Sequence, residues 1–378
     1  MAKKTDLIPL SVPNLIGHEI KYVVDAMKSG WISAGECIRK FEKTIATYIK
    51  IENAVACQSG TAALHLALLA LGVQNNDEVV ISTISFIASV NPIKYVGAHP
   101  VFIDCDDSLC MDAEKLEDFI KEKCFFDGKI LINKLTSRRI KAVLVVYIFG
   151  NVPNLEKILD LSKKYNFKII EDAAEALGTY YKEGSLKGMF IGAIGDVGIF
   201  SFNANKIITT SSGGIVVSKD EKIMSKAKLL SMQSKDSSIY FIHNNIGYNY
   251  QMTNLQAAIG LAQFENLEKF IKIKNDNYKL YEEQGVKLLS FNPNIRSNKW
   301  MYSFLTSKRD EIIQHLKEHS IESRPIWKPM HLQKSYQESF CYKIEKALFY
   351  WKQIVNLPCS TNLTSENVKK TSKLVTAF

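Results

Sequence analysis

No run of this sequence approaches the length a membrane span needs, and the opening MAKKTDLIPLSVPN carries no apolar signal core. Both absences lead us to expect a cytoplasmic protein with no membrane partner. The seven cysteines, Cys37, Cys57, Cys105, Cys110, Cys124, Cys341 and Cys359, are odd in number and show no Cys-x-x-Cys spacing. Neither a disulfide framework nor a zinc site is signalled, so no metal is expected and the thiols read as reduced and mostly buried. Basic residues outnumber acidic ones, 48 to 39, but they are scattered, as in KKYNFK and KFIKIKND, without a basic stripe or a helix-turn-helix pattern. The net charge of +9 therefore reads as a solvated lysine-rich surface, with no nucleic-acid partner expected and an anionic substrate still compatible. Internal repeats and low-complexity tracts are also missing.

What is present is alternation. NAVAC leads into GTAALHLALLALG, DEVVIS into SFIASVNPIKYVG, and HPVFIDCD closes that series; further on, IKAVLVVYIFG precedes NLEKILDLSKKYN, which returns to FKIIED. Short β-branched runs between helical stretches predict βαβ units, hence a mainly parallel sheet between helices. The charged piece KEKCFFDGKILINKLTSRRI interrupts the rhythm and reads as an insertion whose DGK turns a small hairpin. From GYNYQMTNLQAAIG to KLYEEQ the pattern predicts one long amphipathic helix, followed by mixed short elements. A chain of 378 residues suits a large domain over 30–255 and a smaller C-terminal α/β domain over 256–378, with segment 1–29 packing near the latter.

Four loops at the ends of predicted strands carry candidate chemistry. In GIFSFNANKIITTSSGGIVVS, Lys206 lies on the connection between two apolar strands; a solvent-exposed hairpin lysine is the ordinary reading. In CQSGTAALH a strand gives way to a helix at Gly60 and Thr61, which makes either a phosphate seat or a plain Ser/Thr cap. In KIIEDAAEALG a buried strand ends at Asp172, either a helix cap or a carboxylate facing a ligand at the carboxyl end of the sheet. Phe86 in STISFIASVNP is a core residue or a ring stacked on a flat cofactor. Taken together, a phosphate seat, a stacking ring, a carboxylate and a loop lysine match the needs of pyridoxal 5′-phosphate (PLP).

With those residues in place, the sequence resembles the DegT/StrS group of sugar-nucleotide aminotransferases, of aspartate-aminotransferase-like PLP fold type I. The motifs that carry the likeness run from LIPLSVPN and GWISAG through SGTAALH, EDAAEALG, FSFNANKIITT and GYNYQMTNLQAAIG to SRPIWKPMHLQ and NLPCS. The resemblance implies that Lys206 bonds covalently to PLP, that Asp172 pairs with the pyridine nitrogen and that Phe86 stacks on the ring. It assigns the phosphate to Thr61, Ala62 and Ser201, includes Gly60 and Asn203 in the cofactor site, and implies a homodimer in which Asn249 of GYNY reaches the neighbouring subunit's phosphate. Trp31, Ser33, Arg324, Trp327 and His331 become the implied sugar-nucleotide contacts. The chain departs from common family patterns at Glu175, where glutamine is frequent beside the cofactor's phenolic oxygen, at Tyr147, where histidine is usual, and at Gln251, where arginine is usual. The likeness looks closest to the bacillosamine and legionaminic acid branch. That implies L-glutamate as donor and a UDP- or GDP-linked 4-keto-6-deoxy N-acetylhexosamine as acceptor; a perosamine-type sugar without the 2-acetamido group, or a non-catalytic regulatory member, is the alternative.

Overall fold

Alternate residues of the apolar runs feed two separate cores, which is why the runs look continuous in sequence. Val79 and Ile81 pack into one, Val80 into the other; Val216 is divided from Ile215 and Val217 in the same way. The computed structural model describes residues 7–237 and 239–378.

The strands, with the hairpin of the insertion included, are β1 (Asn53–Cys57), β2 (Glu78–Ser82), β3 (His99–Ile103), β4 (Cys124–Phe126), β5 (Leu131–Asn133), β6 (Arg138–Val146), β7 (Lys168–Asp172), β8 (Tyr180–Tyr181), β9 (Val197–Ser201) and β10 (Gly214–Ser218). The main sheet has the order β1-β10-β9-β7-β6-β2-β3, with the short strand Cys341–Tyr342 beyond β3. Along this order every pairing from β9 to Cys341–Tyr342 is parallel, and β10 runs against both of its neighbours. The strand–turn–strand expected around Lys206 is thus the β9–β10 pair. Its consequence is positional: the end of β9, the start of β10 and the ends of β1 and β7 meet at one edge of the sheet.

The insertion forms the expected hairpin. Asp127 accepts the N–H groups of Lys129 and Ile130 at 2.8 and 2.7 Å, and Gly128 takes a φ of +92°. Buried Glu78 ties the insertion down through Asn133 Nδ2 at 2.9 Å and Thr136 Oγ1 at 2.7 Å.

Among the helices, α1 (Glu19–Lys28), α2 (Glu36–Tyr48) and α3 (Gly60–Ala70) come first, followed by α4 (Ile87–Tyr95), α5 (Ala113–Lys123), α6 (Leu155–Tyr165) and α7 (Glu221–Ser231). The single long helix expected after GYNY is instead two, α8 (Asn254–Phe264) and α9 (Leu267–Glu283), broken at Glu265 and Asn266. A capping box between Thr253 and Gln256 starts α8. Beyond α9, Tyr302–Leu305, Ile354–Leu357 and Arg324–Pro325 make a separate three-stranded sheet. The N-terminal stretch lies against this part: Ile8 bridges to Ile321, and Leu10 N–H donates to Glu322 at 3.0 Å.

Candidate active site

The sheet edge just described opens on a cavity of about 470 Å³. Gly60, Thr61, Phe86, Asp172, Glu175, Ser201, Asn203, Lys206, Arg324 and Trp327, all singled out in the sequence, line it.

At one end, α3 begins with Ser59 as its cap. The Ser59 hydroxyl accepts from Ala62 N–H at 3.1 Å and its carbonyl from Ala63 N–H at 3.0 Å. A helix start leaves four N–H groups without helical partners, so those of Gly60 and Thr61 stay open to the cavity. The Ala62 N–H is engaged by the Ser59 hydroxyl and its side chain is buried. This helix start is tight at Gly60, where a Cβ would stand 2.9 Å from Ser201 Cβ.

Asp172, at the end of β7, is 4% exposed. Its Oδ1 accepts from Ala174 N–H at 3.1 Å, and the residue lines the cavity. Burial pushes its carboxyl above the usual range, against the opposing pull of the Ser89 hydroxyl, the Ala174 N–H and the Lys206 charge. Glu175 is also raised by burial and drawn back by Lys206 and by Phe149 N–H, which it binds at 2.9 Å. Phe149 sits at a φ of +57°, a left-handed backbone that a bulky residue seldom takes. Lys206 Nζ stands 3.3 Å from Glu175 Oε1 and 4.1 Å from the Trp300 ring centroid. Aromatic rings close the other side: Phe86 to Trp327 at 5.9 Å, Trp327 to Phe149 at 5.5 Å, Phe149 to Trp300 at 6.0 Å.

Four expected residues lie elsewhere in the single chain. Trp31 is exposed and lines a different cavity, of about 650 Å³, formed with α1, α2 and α8, while its carbonyl accepts from Asn254 at 2.6 Å. The Ser33 carbonyl holds Asn254 N–H at 3.1 Å. Asn249 is exposed and bridged to Met232. The His331 imidazole is 2.7 Å from Thr83 Oγ1, with burial favouring its neutral form. Of the departures from family pattern, Tyr147 faces away from the cavity: it is fully buried and donates to Glu171 at 2.6 Å. Gln251 bridges Cys57.

Trp300, Phe149 and Ser89 were not anticipated. Phe149 had one faint signal, the following Gly150, which takes a φ of +84°; Trp300 had none, because what makes it matter is contact with residues remote in sequence.

A lysine amine, two buried carboxylates, two open N–H groups and a ring-lined slot are a donor set that fits PLP: one nucleophile for its aldehyde, one carboxylate for its ring nitrogen, and helix N–H groups for its phosphate. Comparison with known proteins agrees. The sequence pattern of the DegT/DnrJ/EryC1/StrS aminotransferase family matches residues 13–376, and the chain belongs to that family. It is 37% identical to the GDP-perosamine synthase of Escherichia coli O157:H7, covering 96% of this chain and 95% of that one. It is 35% identical to the GDP-perosamine synthase of Caulobacter vibrioides, covering 96% of each. The PLP-form structure of Spr1654 from Streptococcus pneumoniae overlays at a TM-score of 0.83, with 27% identity, 98% of this chain and 99% of that chain covered. The fold is the α/β PLP aminotransferase fold, and the protein is a PLP-dependent sugar aminotransferase.

If Gly60 forms the phosphate seat, Gly60→Ala crowds it from within. The substitution should weaken PLP affinity about tenfold or more by equilibrium dialysis, because over-packing of this kind typically costs about 1–3 kcal/mol. An unchanged affinity would place the phosphate elsewhere.

Proposed function

We propose that this chain moves the amino group of L-glutamate to C4 of a GDP-linked 4-keto-6-deoxyhexose lacking a 2-acetamido group, the perosamine type. The observation that carries this reading is the identity of 37% and 35% to two GDP-perosamine synthases over nearly their full lengths. It replaces the N-acetylated acceptor expected from the sequence. Of the implied sugar-nucleotide contacts in RPIWKPMHLQ, Arg324 and Trp327 line the cavity while His331 is engaged by Thr83.

When bound, PLP supplies an electron sink that eases cleavage of the bond to hydrogen at the carbon bearing nitrogen. The open N–H groups of Gly60 and Thr61, at the positive end of the α3 dipole, hold its phosphate. Asp172 would keep a proton on the pyridine nitrogen, a reading supported by a buried carboxylate at the end of β7 that lines the cavity. Phe86, half exposed, flanks the ring. Lys206 Nζ would be the group that anchors PLP, and as a free amine it would carry the proton to and from the substrate carbon, as base and then as acid. Arg324, exposed at the cavity mouth, suits the diphosphate of a nucleotide sugar. Since nucleotide-linked sugars of this kind are soluble metabolites, we assign the reaction to the cytoplasm.

The acceptor is tested by offering the enzyme heavy-nitrogen glutamate with, in parallel, the GDP-linked keto sugar, its UDP-linked N-acetylated counterpart and a GDP-linked N-acetylated one. The expected result is heavy nitrogen in the first product by mass spectrometry. Turnover confined to either N-acetylated sugar would reject the perosamine-type acceptor and leave the aminotransferase standing.

We further propose a homodimer with sites completed across the interface, since exposed Asn249 and Trp31 lie off the cavity of their own chain. An inactive Lys206→Ala chain mixed with an inactive Asn249→Ala chain should then recover partial activity through hybrid dimers holding one intact site. Proven subunit exchange with no recovery would contradict the shared site.

A further inference from the structure

Trp300 is held at four points, more than packing alone requires. Its backbone N–H donates to Phe149 O at 3.0 Å, and its indole N–H donates to the carbonyl of Asn205, next to Lys206, at 2.8 Å. Its carbonyl accepts from Lys274 Nζ at 2.6 Å, and the ring is 3% exposed among core side chains. Lys274 is itself fully buried. It spends its charge on two carbonyls, those of Trp300 and Cys359, both at 2.6 Å. Burial pulls its amine below the ordinary lysine range, so this clamp is maintained against a desolvation cost.

The clamp fixes a ring face 4.1 Å from Lys206 Nζ. On another side of the same amine stands the Glu175 carboxylate, itself pinned by Phe149 N–H. A lysine ammonium over an indole face is attracted by the ring quadrupole, most strongly where water is excluded. The Lys206 amine is therefore flanked by an indole face and a carboxylate, each held in place by its own hydrogen bonds.

We propose that the Trp300 face is the resting seat of Lys206 whenever that amine is not bonded to the cofactor, with Lys274 and the Asn205 carbonyl as its supports. This rests on Lys206 being the anchor. Its consequence follows from linkage: an interaction present with free lysine and absent with bonded lysine favours the free state by its own free energy. Trp300 thus keeps the freed amine beside the site where it moves the proton, and opposes premature recapture of the cofactor. It is a positioning residue, and its effect falls on the balance between two cofactor forms.

The test uses the full chain freed of cofactor, with tryptophan at position 300 alone replaced by a series carrying one to four fluorines. Fluorine drains the ring face of its negative potential while keeping the shape, so folding is preserved. Each protein is titrated with PLP, which bonds to the lysine, and with pyridoxamine phosphate, which leaves it free. Across the series the PLP dissociation constant should fall stepwise by about tenfold in total, while the pyridoxamine phosphate constant stays within about twofold. In a Lys206→Ala background both constants should be flat. If both move together, Trp300 is merely structural; if neither moves, the ring holds no charge; either result overturns the proposal. A Lys206→Ala chain that binds PLP as tightly as wild type would overturn the anchor itself, and the seat with it.

Discussion

Replacing Lys206 by alanine is expected to abolish transamination while leaving the chain folded. The side chain projects from the β9–β10 connection into a cavity, so its removal takes away a functional group and opens no void in either core. One residue serves as both anchor and proton carrier, and loss of a positioned base alone typically costs about 10²–10⁴ in rate. The combined loss should therefore reach the detection limit of a coupled glutamate assay. Circular dichroism and the melting transition should stay near wild type; measurable turnover in the variant would remove Lys206 from the mechanism.

Asp172→Asn should have the next largest effect. The amide keeps an oxygen for Ala174 N–H, so the local geometry survives, but the charge facing the pyridine nitrogen is gone. Cofactor should still bind through its phosphate. The rate of the proton-transfer half-reaction, read in single turnover, should fall by several powers of ten, each worth about 1.4 kcal/mol of barrier. Stability should move the other way. Because burial raises the Asp172 carboxyl, the folded chain binds that proton more tightly than the unfolded chain. The resulting stabilisation is present below the unfolded carboxylate range and is lost as pH rises through the raised value, so above that value the ionised group is a net cost. The cofactor-free variant should consequently melt no lower than wild type at a pH above it, checked by melting curves across a pH series. A near-normal rate would show that another group pairs with the ring.

The fold could be read in advance because the sheet strands are buried on both faces, which leaves unbroken runs such as VVIS and AVLVV. Lys206, Asp172, Gly60 and Phe86 were legible for a related reason, since each interrupts or ends such a run where polar or aromatic residues need an explanation. The break between α8 and α9 was not, because neither glycine nor proline marks Glu265–Asn266 and the apolar pattern passes through it. Trp300 escaped notice because SNKWMY looks like ordinary core sequence. Its importance depends on Lys274, Asn205 and Lys206, which only folding brings to it. At Ala62 the motif locates a helix start, but which N–H groups are open is decided by the rotamer of Ser59, which the sequence does not show.

The most direct test of the account is to find where the cofactor is attached. Borohydride reduction of the holoenzyme, followed by proteolysis and peptide mass mapping, should locate pyridoxyl phosphate on Lys206 alone. A rival amine exists close by: Lys299, next to Trp300, has its amine lowered to about 8 by burial and lies 3.5 Å over the Tyr278 ring, outside the cavity lining. An adduct on Lys206 and nowhere else is the predicted result. An adduct on Lys299, or on no lysine of a fully active enzyme, would contradict it.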